Sequence, residues 1–187
     1  MKTLIAALAL SIAAAGCSFP AHLRSTPAVR YYVLSSPLPA SSSTERADIG
    51  VLPVTMPGYL ARQQIVLREA DGITININEY NRWGESLGQG ISRVLCDSLA
   101  VRGVAALPLR TGAKVSKKLM LDVRRFDGVL GGTATIDVVW RLQRDGDVLL
   151  SGHLVKNRPA GDTLEAMVET QSLLVQDLAN DIAARLR

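Results

Sequence analysis

The segment from Thr133 to Gln143 constrains the fold more than any other part of the chain. Its apolar and polar side chains alternate: one set is Ala134, Ile136, Val138, Trp140 and Leu142, and the other is Thr133, Thr135, Asp137, Arg141 and Gln143. A period of two places alternate side chains on opposite faces of a β-strand. The segment therefore predicts a strand with one buried face, which requires a sheet and an element to cover it.

Further strands are predicted on both sides of this segment. Leu119, Leu121 and Val123 alternate before it, and 148–156 follows it, with turns expected at 131–132 and 145–146. Upstream, 31–34 and 49–54 are short strand candidates. Segments 64–69 and 73–78 predict a hairpin around Asp71-Gly72, because this dipeptide favours a tight turn.

Two segments have helical periodicity. The first is predicted from Asn81, its expected N-cap, to about Val101, with one apolar stripe formed by Trp83, Leu87, Ile91, Val94, Leu95 and Leu99. The second begins at Asp162, which with Glu165 resembles a capping box. The order strands, helix, strands, helix predicts an α+β domain with a single mostly antiparallel sheet and two helices packed on one face.

A second stripe on the first predicted helix consists of small residues: Gly84, Gly88 and Ser92. Interior glycine costs about 1 kcal/mol relative to alanine, so close approach of another backbone is the expected compensation. The sequence favours the protein's own sheet as that neighbour and leaves a partner chain as the alternative.

Length and charge bound the remaining possibilities. A chain of 187 residues suits one domain with a sizeable core. It carries 21 basic and 17 acidic residues, a net charge of +4. No basic run and no aromatic–basic patch is present, so nucleic acid is not an expected partner.

The N-terminus has the pattern of a secretory signal. A short positive region, Met1-Lys2-Thr3, precedes an apolar run over 4–15 that is interrupted only by Ser11. Twelve helical residues span about 18 Å, too short for a bilayer core of about 30 Å. The run therefore predicts a signal peptide over 1–16 and not a membrane-spanning helix.

The end of this signal resembles a bacterial lipobox. Ala14, Ala15 and Gly16 precede Cys17, which we predict to carry the lipid anchor through its thiol. Residues 17–29 are then a lipidated tether and 30–187 the folded domain. Ser18 follows the cysteine, which by analogy with enterobacterial lipoproteins favours the periplasmic face of the outer membrane. The alternative is an ordinary signal peptide that leaves a free thiol.

Few residues in the sequence could form a catalytic or metal-binding site. The strong nitrogen and sulfur ligands left after acylation are His22, Cys96 and His153, and their spacing matches no metal motif. Neither a nucleophile elbow nor a phosphate-binding loop is present. The sequence therefore predicts a non-enzymatic protein without cofactor or metal. Cys96 is expected to be a buried, inert thiol.

The most distinctive irregular segment is 53–66. It contains Tyr59, Leu60 and Arg62 directly after the Pro57-Gly58 turn. Side chains of these types commonly anchor interfaces, so the segment is a candidate partner interface. The alternative is that Tyr59 and Leu60 cover an edge of the core.

Several segments, taken in order, resemble the ABC-type transport auxiliary lipoprotein family, the PqiC- and YmbA-like lipoproteins. They are Cys17, the segment 31–34, the segment 49–54, the segment 56–66 with its Pro-Gly-Tyr-Leu-Ala-Arg, and the segment 81–87 with Arg82-Trp83. The sequence departs from the family where an acidic residue is frequent, at Gly58 and Ala61. The resemblance adds Arg82 and Trp83 to the candidate interface.

This resemblance implies a role beside an MCE-type lipid transporter. The expected partners are an MCE-domain periplasmic protein and its inner-membrane partner, with the lipoprotein as the docking component at the outer membrane. Two alternatives stay open: a stand-alone structural envelope lipoprotein that contacts peptidoglycan, and an enzyme that uses His153. A homo-oligomeric ring and a monomer are equally compatible with the sequence.

Overall fold

The computed structural model describes residues 27–37, 47–109 and 114–187. The predicted signal peptide, Cys17, His22, most of the tether and most of the Ser- and Pro-rich loop 36–44 lie outside these ranges. Expectations about those segments stay predictions.

The described chain alternates short strands, two helices and a long meander. The elements in order are β1 (Arg30–Tyr32), β2 (Ile49–Val51), β3 (Gln64–Arg68), β4 (Ile75–Trp83), α1 (Leu87–Val101), β5 (Ala106–Pro108), β6 (Lys117–Gly128), β7 (Thr133–Arg144), β8 (Asp147–Pro159) and α2 (Leu164–Arg185). The hairpin at Gly72 and the turns at Gly131 and Gly146 are present, and each of these glycines has a positive φ.

The strands form two mixed sheets. One has three strands in the order β1-β4-β3, and the other has five in the order β5-β2-β6-β7-β8. β1 is parallel to β4, and β2 is parallel to both β5 and β6. The α+β class holds, but the prediction of a single mostly antiparallel sheet is wrong.

The physical reason is that alternation reports which face of a strand is buried and not which strand it pairs with. β6, β7 and β8 are joined by tight turns and pair antiparallel, as predicted. β1 and β2 instead find partners about 50 residues or more away in sequence. No local signal encodes that pairing.

The first helix also begins later than predicted. Trp83 is the last residue of β4, because its N–H donates to the Gln63 carbonyl at 2.6 Å and that of Gly84 to Tyr32 at 2.8 Å. The N-cap is Ser86, whose side chain accepts from the Gln89 N–H at 3.3 Å. Asn81 is therefore a strand residue and caps no helix.

The second helix follows the prediction within two residues. Its N-cap is Thr163 in place of Asp162, with Glu165 in the first turn. It packs on β6, β7 and β8, while α1 packs on α2 and β5. Between the helices and the five-stranded sheet lies the core, whose largest buried side chains include Trp140, Phe126, Leu95 and Leu178.

Within the described residues, neither helix combines the length and apolar content needed to cross a bilayer.

Candidate functional site

A groove lies where the loop between β2 and β3 passes the start of α1. We call it the Arg62 groove. It encloses about 380 Å³ and is lined by Val54, Met56, Ala61, Arg62, Gln63, Trp83, Gly84, Glu85, Ser86, Leu87 and Gly88. A Cβ at Gly88 would stand 3.4 Å from Met56 Cε and 3.5 Å from Val54 Cβ, which is van der Waals contact with the loop. The loop thus approaches α1 closely, so at Gly88 the neighbour is the protein's own chain.

One basic side chain, Arg62, lines this groove. Arg62 Nε is buried without a hydrogen-bond partner in the part of the chain that the structure describes, and Arg62 forms no ion pair there. The acidic lining residue, Glu85, is paired with Arg93 at 2.5 Å. The first turn of α1 adds N–H groups at the positive end of the helix dipole. The groove therefore suits an anionic or carbonyl-bearing group.

Behind the loop lies a second polar feature, the Asp127 cluster, formed by Tyr59, Arg68, Arg125 and Asp127. The carboxylate of Asp127 is fully buried and accepts from Arg68 at 2.7 and 2.9 Å, from Arg125 at 2.8 Å and from the Tyr59 hydroxyl at 2.9 Å. These bonds join the loop, β3 and β6. The two sheets are therefore connected through one buried carboxylate.

Ionisation in the cluster follows from these contacts. Burial alone raises the pKa of Asp127, but the hydrogen bonds from Arg68, Arg125 and Tyr59 outweigh it, so the pKa lies below its usual value. Burial, followed by the hydrogen bond to Asp127, raises the pKa of Tyr59 to about 12. Asp127 is thus a carboxylate and Tyr59 a neutral donor at physiological pH.

Three residues of the candidate interface belong to these two features, and the other two, Leu60 and Arg82, belong to neither. Arg62 and Trp83 line the groove, although Trp83 is only 5% exposed. Tyr59 is half-buried on Asp127, and Leu60 is part of the core. Arg82 lies on β4 beside Tyr31, and its Nε donates to the Glu79 carbonyl at 3.3 Å. Their role in partner binding stays a prediction.

Sequence reasoning missed three of the cluster's four members: Arg68, Arg125 and Asp127. Acidic and basic residues on strands usually face solvent, so no sequence signal set these apart. The sequence offers one hint, which is that Asp127 stands between Phe126 and Gly128. In the structure, a Cβ at Gly128 would stand 2.7 Å from Ala134 Cα. Such tight surroundings indicate a buried strand end.

His153 pairs with Asp137 at 2.8 Å on the exposed face of β7 and β8. The described residues include no group of three or more His, Cys, Asp or Glu side chains that could hold a metal ion.

Cys96 is buried, as the sequence predicts, and burial raises the pKa of its thiol to about 12. The thiolate is the reactive form, so we expect iodoacetamide at pH 8 to leave Cys96 unmodified in the folded protein. In protein whose Cys17 is acylated, intact-mass analysis should detect one added carbamidomethyl group only after unfolding in urea. Equal labelling rates with and without urea would contradict this burial.

Taken together, the groove, the buried ion-pair cluster and the two sheets define an α+β domain whose most distinctive surface is the Arg62 groove. The family described as ABC-type transport auxiliary lipoprotein component matches residues 32–183, and the chain belongs to this family. The resemblance seen in the sequence is confirmed. Membership in a lipoprotein family indicates a membrane-anchored envelope protein with an auxiliary role in transport.

Solved structures share the fold. The crystal structure of an uncharacterised protein is 21% identical, with a TM-score of 0.72 over 86% of this chain and 100% of the other. A crystal structure of a protein from Xanthomonas campestris is 16% identical, with a TM-score of 0.66 over 83% of this chain and 93% of the other. A search of curated proteins finds no significant match.

Proposed function

We propose that this protein is a non-enzymatic lipoprotein, anchored through Cys17 to the periplasmic face of the outer membrane, that docks an MCE-type, Pqi-like intermembrane lipid-transport system. The observation that carries the proposal is the family match over residues 32–183. An auxiliary component acts by binding the transporter. The feature of the domain best suited to that task is the Arg62 groove.

The groove has the chemistry of a docking site. Its apolar walls, Val54, Met56 and Leu87, supply burial, and the guanidinium of Arg62 supplies a directional contact. A buried guanidinium nitrogen without a partner costs free energy in the isolated domain. A partner that brings a carboxylate or backbone carbonyl into the groove relieves this cost. We therefore assign the groove to the MCE-domain protein.

Replacing Arg62 with glutamate tests this assignment. The variant should lose most of the MCE-domain protein that co-purifies with the tagged, detergent-extracted lipoprotein after mild crosslinking, because like charge then faces the partner's acceptor. Quantitative mass spectrometry of the eluate measures the loss. Circular dichroism should be unchanged, since Arg62 makes no ion pair among the described residues.

The matched control is Arg124→Glu, which makes the same charge change at an exposed position on β6. It should retain the partner. Equal recovery from both variants would exclude the groove as the docking site. Recovery of the unsubstituted lipoprotein without any MCE-domain protein would instead favour a stand-alone envelope role. Pelleting with purified cell-wall sacculi then tests for peptidoglycan binding.

A further inference from the structure

An exposed apolar surface lies on β1 and the residues that flank it, the first described part of the chain after Cys17. Val29 is 40% exposed, Tyr31 65% and Val33 56%. These three side chains alternate with Arg30, Tyr32 and Leu34, so they share one face of the strand, which we call the β1 face.

The opposite face of β1 is fixed to the domain. The Tyr32 hydroxyl donates to Glu165 at 2.9 Å, Arg30 pairs with Glu165 at 3.3 Å, and Leu34 is buried in the core. Val33 also packs closely on Gly84, where an added Cβ would stand only 3.2 Å from Val33 Cγ1. The β1 face is therefore held outward on a firm base, and its exposure is a property of the fold.

The neighbouring strand adds interfacial chemistry. Arg82 lies opposite Tyr31 in the parallel pairing, and Tyr80, two residues earlier on β4, is 42% exposed. Tyrosine rings prefer the boundary between acyl chains and headgroups, and arginine pairs with lipid phosphate. Two exposed tyrosines, two valines and an arginine form a patch suited to a lipid surface.

The length of the tether supports a lipid bilayer as the surface that the β1 face contacts. Eleven residues lie between Cys17 and Val29, so twelve residue-to-residue steps join them and the two are at most about 43 Å apart. β1 is the first described element after Cys17 in sequence, and an apolar surface held within this distance of a bilayer meets it at high effective concentration.

We propose that the β1 face rests on the membrane that holds the anchor, with Tyr31 in the headgroup region and Arg82 on lipid phosphates. The proposal rests on the anchor at Cys17 and not on docking to a transporter. It fixes an orientation in which the three-stranded sheet, to which β1 belongs, meets the membrane. The Arg62 groove adjoins the seated face through Gly84, which lines the groove and contacts Val33.

Depth-dependent fluorescence quenching tests this orientation. The full-length lipidated protein carrying Tyr31→Trp is added to vesicles of phosphatidylethanolamine and phosphatidylglycerol with brominated acyl chains. Acylation of Cys17 is verified by mass. After subtraction of the unsubstituted protein, which contains the buried Trp83 and Trp140, the new emission should be blue-shifted and quenched. Val33→Trp serves as a second reporter in case Tyr31→Trp disturbs β1.

The matched control is Val155→Trp on β8, at a position that is 55% exposed. Its emission should be quenched several-fold less. Equal quenching at Tyr31 and Val155, or none at Tyr31 and Val33, would overturn the proposal. A blue shift that increases with protein density, without quenching by the brominated lipid, would also overturn the proposal. It would mean that a second copy of the protein covers the β1 face. No transporter is present in the vesicles, so the result is independent of the docking proposal.

Discussion

The Asp127→Ala variant should lose about 3–5 kcal/mol of unfolding free energy, because it leaves Arg68 and Arg125 facing each other without their shared carboxylate. The side chain of Arg68 is only 14% exposed, so water cannot replace the lost partner efficiently. Tyr59 loses its acceptor in the same step. Urea denaturation followed by circular dichroism measures the change.

Two comparisons isolate the cause. Asp122→Ala removes an exposed carboxylate from the same strand and should change stability by no more than about 0.5 kcal/mol. In the double variant Arg68→Met with Asp127→Leu, the loss should be smaller than the sum of the single losses, since the two partners leave together. Additive losses would mean that the cluster contributes no coupling between the sheets.

The same carboxylate predicts acid sensitivity. The pKa of Asp127 is lower in the folded protein than in the unfolded chain, where it is about 3.9. Its contribution to stability is therefore present above pH 4 and lost as pH falls through the lowered, folded-state pKa. The difference in stability between the unsubstituted protein and Asp127→Ala should shrink in that acidic range.

Trp140→Ala is expected to be the second large loss, about 3–5 kcal/mol, because it empties the largest side chain of the core. The indole has tightly fitted surroundings: Gly152 on the neighbouring strand has room for no Cβ, since one would stand 2.7 Å from the ring. Its Nε1–H donates to Asp181 at 2.9 Å, and Arg185 lies 5.6 Å from the ring centroid. Thermal and urea unfolding measure the loss.

The intermediate substitution Trp140→Phe separates volume from hydrogen bonding. It keeps most of the ring and should cost about 1–3 kcal/mol. Val148→Ala, at an exposed position on β8, should change stability by about 0.5 kcal/mol or less. A Trp140→Phe variant as unstable as Trp140→Ala would assign the whole effect to the bond with Asp181.

Local patterns predicted the parts of the fold that local chemistry determines. The alternation over 133–143 gave a strand with the correct inner face, and Asp145-Gly146 gave its turn. Trp83 is different, because its sequence pattern fits two structures. An apolar residue four positions before Leu87 can extend the apolar stripe of a helix, but it can equally be the buried last residue of a strand. The choice depends on the bond from Trp83 to Gln63, twenty residues away.

The candidate site divides in the same way. Arg62 and Trp83 were named from sequence, and the structure places both in one groove. The cluster behind it unites positions 59, 68, 125 and 127 from a loop and two strands of different sheets. Taken singly, each of these side chains is of a type that is common on protein surfaces. Only the packing of one sheet against the other removes water from Asp127 and gives it a role.

The way in which β1 joins the domain also has a mechanical consequence. The chain passes from the tether into β1, which runs parallel to β4 in the register Arg30 to Asn81 and Tyr32 to Trp83. Tension applied along β1 from its N-terminal end would load its hydrogen bonds with β4 together, in shear, and would not open them one at a time. Glu165 takes part of the same load through Arg30 and Tyr32 and transmits it to the start of α2. In the lipid-anchored protein that we propose, the first strand after the anchor in sequence is thus paired in a geometry that resists a pull from the membrane.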